Sequence, residues 1–238
     1  MSQLDALKIR IFADGANLEE MVTLAQKYFI SGLTTNPTLL RKAGVLDYET
    51  FARSVLEKIT TLPISFEVFS DDLDEMISQG QKIAAWGENV YVKIPITNTK
   101  GVSTSRVVNS LANQGIKVNV TALMTSLQVE QIAESLNPNI PSYVSVFAGR
   151  VADTGVDPIP LMKQSINILK PNNNAELIWA SPRELLNIFQ ANDIGCHVIT
   201  ATSDILNKLE LIHRDLDNYS LETVKMFYED AKKSGLTI

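Results

Sequence analysis

Short apolar runs alternate with longer amphipathic stretches from one end of the chain to the other. The runs are Ile9–Ala13, Gly32–Thr35, Ile64–Val68, Val90–Ile94, Lys117–Thr121, Tyr143–Phe147, Leu177–Ala180 and Val198–Ala201. Their shortness and their wealth of Val and Ile predict strands. Helical spacing of apolar positions marks the segments between them: Leu18–Phe29, Tyr48–Ile59, Leu73–Trp86, Ser103–Asn113, Leu127–Leu136, Pro158–Leu169, Pro182–Ala191 and Ser203–Leu209. Asn-Pro, Asp-Pro and glycine punctuate the junctions. Strands separated by helices pair in parallel through right-handed crossovers. Eight such units in 238 residues approach the ~250 residues of a (β/α)8 barrel. An open doubly wound sheet is the rival, but it favours a glycine-rich phosphate turn, and neither G-x-G-x-x-G nor G-x-x-x-x-G-K-[ST] occurs. The expectation is an α/β protein, a (β/α)8 TIM barrel forming a single domain over 1–238, with an extra C-terminal helix over 220–235. Leu221, Val224, Phe227, Tyr228 and Ala231 form an apolar stripe on that helix. A bare barrel has no obvious unfilled surface for the stripe; it can fold back on its own barrel or dock on a neighbour, and docking, which makes a homo-oligomer, is the expectation.

Alternation within the strands locates the chemistry, because one parity faces the barrel interior and the other the helices. Lys93 stands between Val92 and Ile94, Glu67 between Phe66 and Val68, Asn119 between Val118 and Val120, and Ser145 between Val144 and Val146. Asp14 and Thr121 close their strands on the same parity, Asn36 follows the second strand, and Ser181 ends the seventh. Glu67, Lys93, Asn119 and Ser145 recur at intervals of 26 residues. Late positions on barrel strands converge at the C-terminal mouth, where such barrels work.

A lysine among apolar strand residues is costly to bury as a cation unless it is paired or neutralised. One reading is a structural salt bridge to Glu67 or Asp14. The other is an imine-forming amine, favoured by desolvation and nearby cations and able to attack a ketone. Such chemistry needs proton carriers. Asp14 can take the proton of a hydroxyl whose carbon becomes a carbonyl, and Glu67 with Thr121 can hold a water for imine formation and hydrolysis. An anion site is the third component. Arg150 follows strand six, and Arg183 follows Ser181 and Pro182, which read as N-cap and first residue of a helix.

Composition narrows the partners. Lys and Arg number 21 against 27 Asp and Glu, a net charge of −6, which argues against nucleic acid. The one cysteine, Cys196, excludes an intrachain disulfide. Asp5 interrupts any apolar leader and no apolar run nears the ~20 residues of a membrane span, so the expectation is a cytoplasmic protein without membrane partners.

These residues resemble the transaldolase family, including its short fructose-6-phosphate aldolase-like branch. The likeness runs from Phe12 to Arg183: Phe-Ala-Asp14-Gly-Ala-Asn, Gly32-Leu-Thr34-Thr-Asn36-Pro, Phe66-Glu67-Val68, Val92-Lys93-Ile-Pro-Ile-Thr97, Asn119-Val-Thr121, Ser145-Val-Phe147-Ala-Gly149-Arg150 and Ala180-Ser181-Pro-Arg183. The resemblance implies that Lys93 forms the imine, Asp14 is the acid/base, and Glu67 and Thr121 place the water. It implies that Thr34, Asn36, Asn119, Ser145 and Phe147 contact the dihydroxyacetone part of a sugar phosphate, and that Arg150, Ser181 and Arg183 hold the phosphate. It implies no metal and no organic cofactor. The aldolase-like branch tends to carry Gln and Tyr where this chain has Glu67 and Phe147, so the resemblance favours transfer of dihydroxyacetone to an aldehyde over its release. A fructose-6-phosphate aldolase, and a catalytically silent sugar-phosphate-binding barrel, are the alternatives.

Overall fold

The computed structural model describes residues 3–235. In chain order its strands and α-helices are β1 (Arg10–Asp14), α1 (Leu18–Ala25), β2 (Ile30–Thr34), α2 (Pro37–Lys42), α3 (Tyr48–Lys58), β3 (Ile64–Glu67), α4 (Leu73–Ala84), β4 (Val90–Pro95), α5 (Ser105–Asn113), β5 (Val118–Leu123), α6 (Ser126–Ala133), β6 (Ser142–Val146), α7 (Ala148–Asp153), α8 (Ile159–Leu169), β7 (Ala175–Trp179), α9 (Leu186–Asp193), β8 (Val198–Thr202), α10 (Ser203–Leu206) and α11 (Leu216–Ser234). The strands pair in sequence order, all parallel, and β8 closes onto β1. This is the (β/α)8 barrel that the alternation predicts.

Caps set where the helices begin. Asn17, Asp47 and Asp72 accept backbone N–H groups at the starts of α1, α3 and α4. Thr125 and Gln128 form a capping box on α6. Alternation then divides the strand residues. Val92, Val118, Val144 and Leu177 are fully buried on the parity that faces the helices. On the other parity Phe12, Tyr91, Tyr143, Ile178 and Val198 fill the barrel interior as one cluster. Phe12 meets Tyr143 edge to face at 5.5 Å. Gly32 is required opposite it, because a Cβ there would lie 2.5 Å from the Phe12 ring.

Three local departures from the expected pattern concern the C-terminal mouth. The six-residue helices α2 and α7 are not predicted by the alternation, yet each follows closely on its strand, β2 and β6. β7 stops at Trp179, and α9 begins only at Leu186, so Pro182 does not open a helix. Within β5 the register against β6 shifts between Val120 and Leu123, and Ala122 there has a left-handed φ of 66°.

The chain divides into two compact units, one running through Leu206 and the other starting at Asn207. The second unit contains a 3-10 helix (Asn207–Leu211) and α11. Asp215 caps α11 by accepting the Asn218 N–H, and Gly235 ends it in the left-handed conformation. Leu221, Val224, Phe227 and Tyr228 on this helix are each more than half exposed.

Candidate active site

A cavity of about 380 Å³ opens at the C-terminal ends of the strands. Its lining includes Asp14, Thr34, Asn36, Glu67, Lys93 and Thr121. Ser145, Phe147, Arg150, Ser181 and Arg183 line it as well. Of the residues that the sequence places in a site, Asn119 alone does not line the cavity.

Register puts Glu67, Lys93 and Asn119 side by side on β3, β4 and β5. Lys93 is 5% exposed and has two partners. Its Nζ lies 3.3 Å from a Glu67 carboxylate oxygen and donates to the Thr35 carbonyl at 2.8 Å. The salt bridge to Glu67 therefore exists as one of the two readings required. The groups that hold the amine are an anion and a carbonyl, both acceptors for an ammonium proton, and not the cations that the sequence reading invoked.

Asp14 is bound from β2 and the start of α2. Thr34 Oγ1 donates to its Oδ1 at 2.8 Å, and Asn36 Nδ2 donates to its Oδ2 at 3.1 Å. Asn36 serves twice, because its Oδ1 also caps α2 by accepting the Leu39 N–H. Burial pushes the Asp14 carboxyl above the usual range, while Lys93 and the Thr34 and Asn36 hydrogen bonds oppose that shift and Glu67 adds to it.

Thr121 and Ala122 are consecutive, yet both line the cavity, which plain alternation forbids. The register shift and the left-handed Ala122 account for it. Thr121 Oγ1 is buried and has no protein partner. A buried hydroxyl at a cavity wall is left to bond whatever the cavity holds, water included. Asn119 is engaged just below: it donates to Ser65 Oγ at 2.9 Å and accepts from Ser145 Oγ at 2.7 Å. The 26-residue interval holds one height through Asn119, but Asn119 pairs with Tyr143, so Ser145 stands two residues nearer the mouth.

The rim carries the two arginines. Arg150, on α7, lies over the Phe147 ring at 5.9 Å. Arg183 Nε donates to Asp153 Oδ1 at 2.9 Å, and a second guanidinium nitrogen reaches Oδ2. That hydrogen-bonded guanidinium, with the charges of both arginines, holds the Asp153 carboxyl below the usual range. Ser181 is not a helix cap. It lies beyond β7, off the interior parity of Ile178 and Ala180, and reaches the cavity through a left-handed φ of 59°. The Arg183 and Glu184 N–H groups donate instead to Asn187 Oδ1. Gly149 lets α7 meet this segment: a Cβ would lie 1.5 Å from the Ser181 carbonyl oxygen.

Four contributors are absent from the sequence expectations. Thr200 on β8 contacts Thr34 Oγ1 at 2.6 Å, and Thr202 lines the cavity beside it. The signal for Thr200 is parity with Val198 in a strand already found; Thr202 has the same parity but lies one residue past the Val198–Ala201 run. Tyr48 accepts the Glu67 N–H at 2.7 Å, and Ser65 carries Asn119; Tyr48 opens a helix, and nothing in its neighbourhood marks it. His197 is structural, its Nδ1 accepting the Leu177 N–H. Among the described residues no group of three or more His, Cys, Asp or Glu is placed to hold a metal. No helix among them is long and apolar enough to cross a membrane.

Fold and site together define a (β/α)8 barrel whose C-terminal mouth pairs a buried lysine with one carboxylate, holds a second carboxylate in the same cavity and sets arginines at the rim. The transaldolase/fructose-6-phosphate aldolase family profile matches residues 11–238, and the chain belongs to that family. It is 32% identical over 231 residues to a protein of Thermoanaerobacter sp. (strain X514) named "Probable transaldolase", covering 97% of this chain and 100% of that one. A protein of the same name from Streptococcus equi subsp. zooepidemicus (strain MGCS10565) is 34% identical over 202 residues, 84% of this chain and 90% of that one. Among solved structures, a mandelate oxidase aligns with a TM-score of 0.55 at 10% identity, over 80% of this chain and 64% of that one. 2,3-Dimethylmalate lyase aligns at 0.52 and 13% identity, over 98% and 86%. These two share the fold alone.

Proposed function

We propose that the protein is a Schiff-base transaldolase that moves a dihydroxyacetone unit from a ketose phosphate, such as fructose 6-phosphate, to an aldose phosphate. The observation that carries the reading is the buried Lys93–Glu67 pair, 3.3 Å apart, in one cavity with Asp14. An amine must lose its proton before it attacks a carbonyl, and Glu67 is within reach of that proton. The Lys93 nitrogen adds to the ketose carbonyl and water leaves, giving a protonated imine. Asp14 then takes the proton of the neighbouring hydroxyl, the C–C bond breaks into the imine, and an aldose phosphate departs from the enamine left on Lys93. An incoming aldehyde accepts the enamine carbon, and Asp14 returns its proton to the new hydroxyl. Water held at Glu67 and the free hydroxyl of Thr121 hydrolyses the final imine.

Binding roles follow position. Thr34, Asn36 and Ser145 face the carbon chain, while Asn119 acts beneath them through Ser145. Arg150, Ser181 and Arg183 meet the terminal phosphate. Phe147 presents a ring without a hydroxyl to the cavity, so it cannot hold a water that would protonate the enamine, and this supports transfer over release. A cytoplasmic location accompanies the reading. Borohydride reduction with fructose 6-phosphate, followed by peptide mapping, should label Lys93, and Lys93→Ala should abolish both label and turnover. A label on another lysine overturns the assignment. Turnover should also need an acceptor such as erythrose 4-phosphate. Dihydroxyacetone release as fast without an acceptor as with one would replace this reading by the aldolase.

A further inference from the structure

A carboxyl that gains and loses a proton in every cycle needs partners that suit both of its forms. Asn36 Nδ2 can bond Oδ2 in either form, but Asn36 can only donate there, because its Oδ1 is committed to the Leu39 N–H, so it cannot accept the carboxyl proton. Thr34 is different. Its Oγ1 lies 2.8 Å from Asp14 Oδ1 and 2.6 Å from Thr200 Oγ1, and Thr200 also lines the cavity. Counting protons fixes the direction of this chain. With Asp14 ionised, Thr34 spends its proton on Oδ1, so the short contact to Thr200 requires Thr200 to donate to Thr34. With Asp14 protonated on Oδ1, the carboxyl can donate to Thr34, Thr34 to Thr200, and the Thr200 proton turns into the cavity.

We propose that Thr34 and Thr200 form a reversible two-hydroxyl relay that keeps Asp14 Oδ1 hydrogen-bonded in both protonation states, with Thr200 as a positioning residue. No heavy atom moves and no proton is created: two hydroxyl protons and one carboxyl proton are reoriented. A hydroxyl that also accepts is a stronger donor, and a donor bond to a charged group is stronger than one to a neutral group. Losing Thr200 therefore weakens support for the ionised form more than for the neutral one. The other charged groups that act on Asp14 are Lys93 from β4 and Glu67 from β3, and Thr200 contacts neither through a hydrogen bond.

The proposal rests on the Schiff-base reading, and the test separates the two. Thr200→Val and Thr200→Ser are compared with the parent in two assays. The first is Lys93 trapping by borohydride with fructose 6-phosphate, which reports imine formation. The second is the pH profile of kcat/KM for transfer, whose acid limb reports the base that cleaves the bond. Thr200→Val should still form the Lys93 adduct, with the pH dependence of trapping unmoved. Its transfer rate should fall about tenfold, and its acid limb should move up by about half a pH unit. Thr200→Ser should restore both. A valine variant with the parent's rate and acid limb, or one slowed equally in trapping and transfer, overturns the relay. Failure of the parent to form an adduct overturns the Schiff-base reading instead. If the valine variant does not fold, Thr200→Ala is measured against the same expectations.

Discussion

Asp14 shows why a site residue can work against the stability of its own fold. Burial raises its carboxyl titration above the usual 3.8, so the folded chain holds this proton more tightly than the unfolded chain. The sign follows. The Asp14 contribution to stability is greatest below the unfolded titration and is lost as pH rises through the raised value. Asp14→Ala should therefore gain in Tm relative to the parent as pH is taken from about 4 to about 8, while transfer is lost. Melting curves across that range check it, and a Tm difference that does not vary with pH would contradict it. A second test compares groups along one substrate. If Arg183 holds the phosphate as proposed, Arg183→Ala removes a charge-assisted contact of about 1.5–3 kcal/mol, a factor of roughly ten to a hundred in affinity. The loss should appear in the fructose 6-phosphate concentration needed for trapping and be nearly absent for dihydroxyacetone. Equal losses would place Arg183 away from the phosphate. At this scale the sequence is most legible where a polar residue interrupts an apolar strand, as Lys93 and Glu67 do. It is least legible where the role depends on a partner from a distant strand. Thr200 matters through Thr34, 166 residues away, and no local pattern links them.

Elements carry the difference between strand order and site geometry. The eight strands and their parity are written as alternation, because each strand buries one face against the helices and one in the barrel. The short helices α2 and α7 are not, since six residues do not complete two turns and leave no hydrophobic period to read. Both are recognisable only through what they hold: α2 through its Asn36 cap, and α7 through Arg150. The left-handed backbones at Ala122 and Ser181 are equally silent, because nothing about an alanine or a serine announces φ > 0. They are the points at which the regular barrel bends toward the cavity. The contact of α7 with the β7–α9 segment is the tightest of these arrangements. Gly149→Ala would drive a methyl to 1.5 Å from the Ser181 carbonyl oxygen and 3.3 Å from Arg183 Nε. Overpacking of this kind costs on the order of 3 kcal/mol. We expect Gly149→Ala to lower Tm and to weaken trapping by fructose 6-phosphate more than by dihydroxyacetone. An intact Tm with intact trapping would show that the segment yields without cost.

For the whole molecule, the open question raised by the sequence is what covers α11. Its stripe of Leu221, Val224, Phe227 and Tyr228 is 51–63% exposed, and Leu216 at its start is 78% exposed. Apolar side chains of this size on one helix are a recognised mark of an interaction surface. A 19-residue helix with a left-handed glycine cap is fully formed, so the stripe is presented on a regular helix. We propose that it docks on another copy of this chain. Charge does not forbid the contact, because Lys225, Lys232 and Lys233 alternate with Glu222, Glu229 and Asp230 along the helix. The expected outcome is a homo-oligomer by light scattering at micromolar protein. Truncation after Arg214 removes the whole helix, whereas truncation after Asn218 would leave its first turn. The shorter chain should keep its barrel by circular dichroism and lose the assembly. Phe227→Glu together with Val224→Glu should do the same while retaining the helix, because burying two unpaired carboxylates at an interface costs several kcal/mol. A full-length chain that runs as a monomer at this concentration sinks the proposal, and an oligomer that survives both changes assigns assembly to the barrel and not to α11.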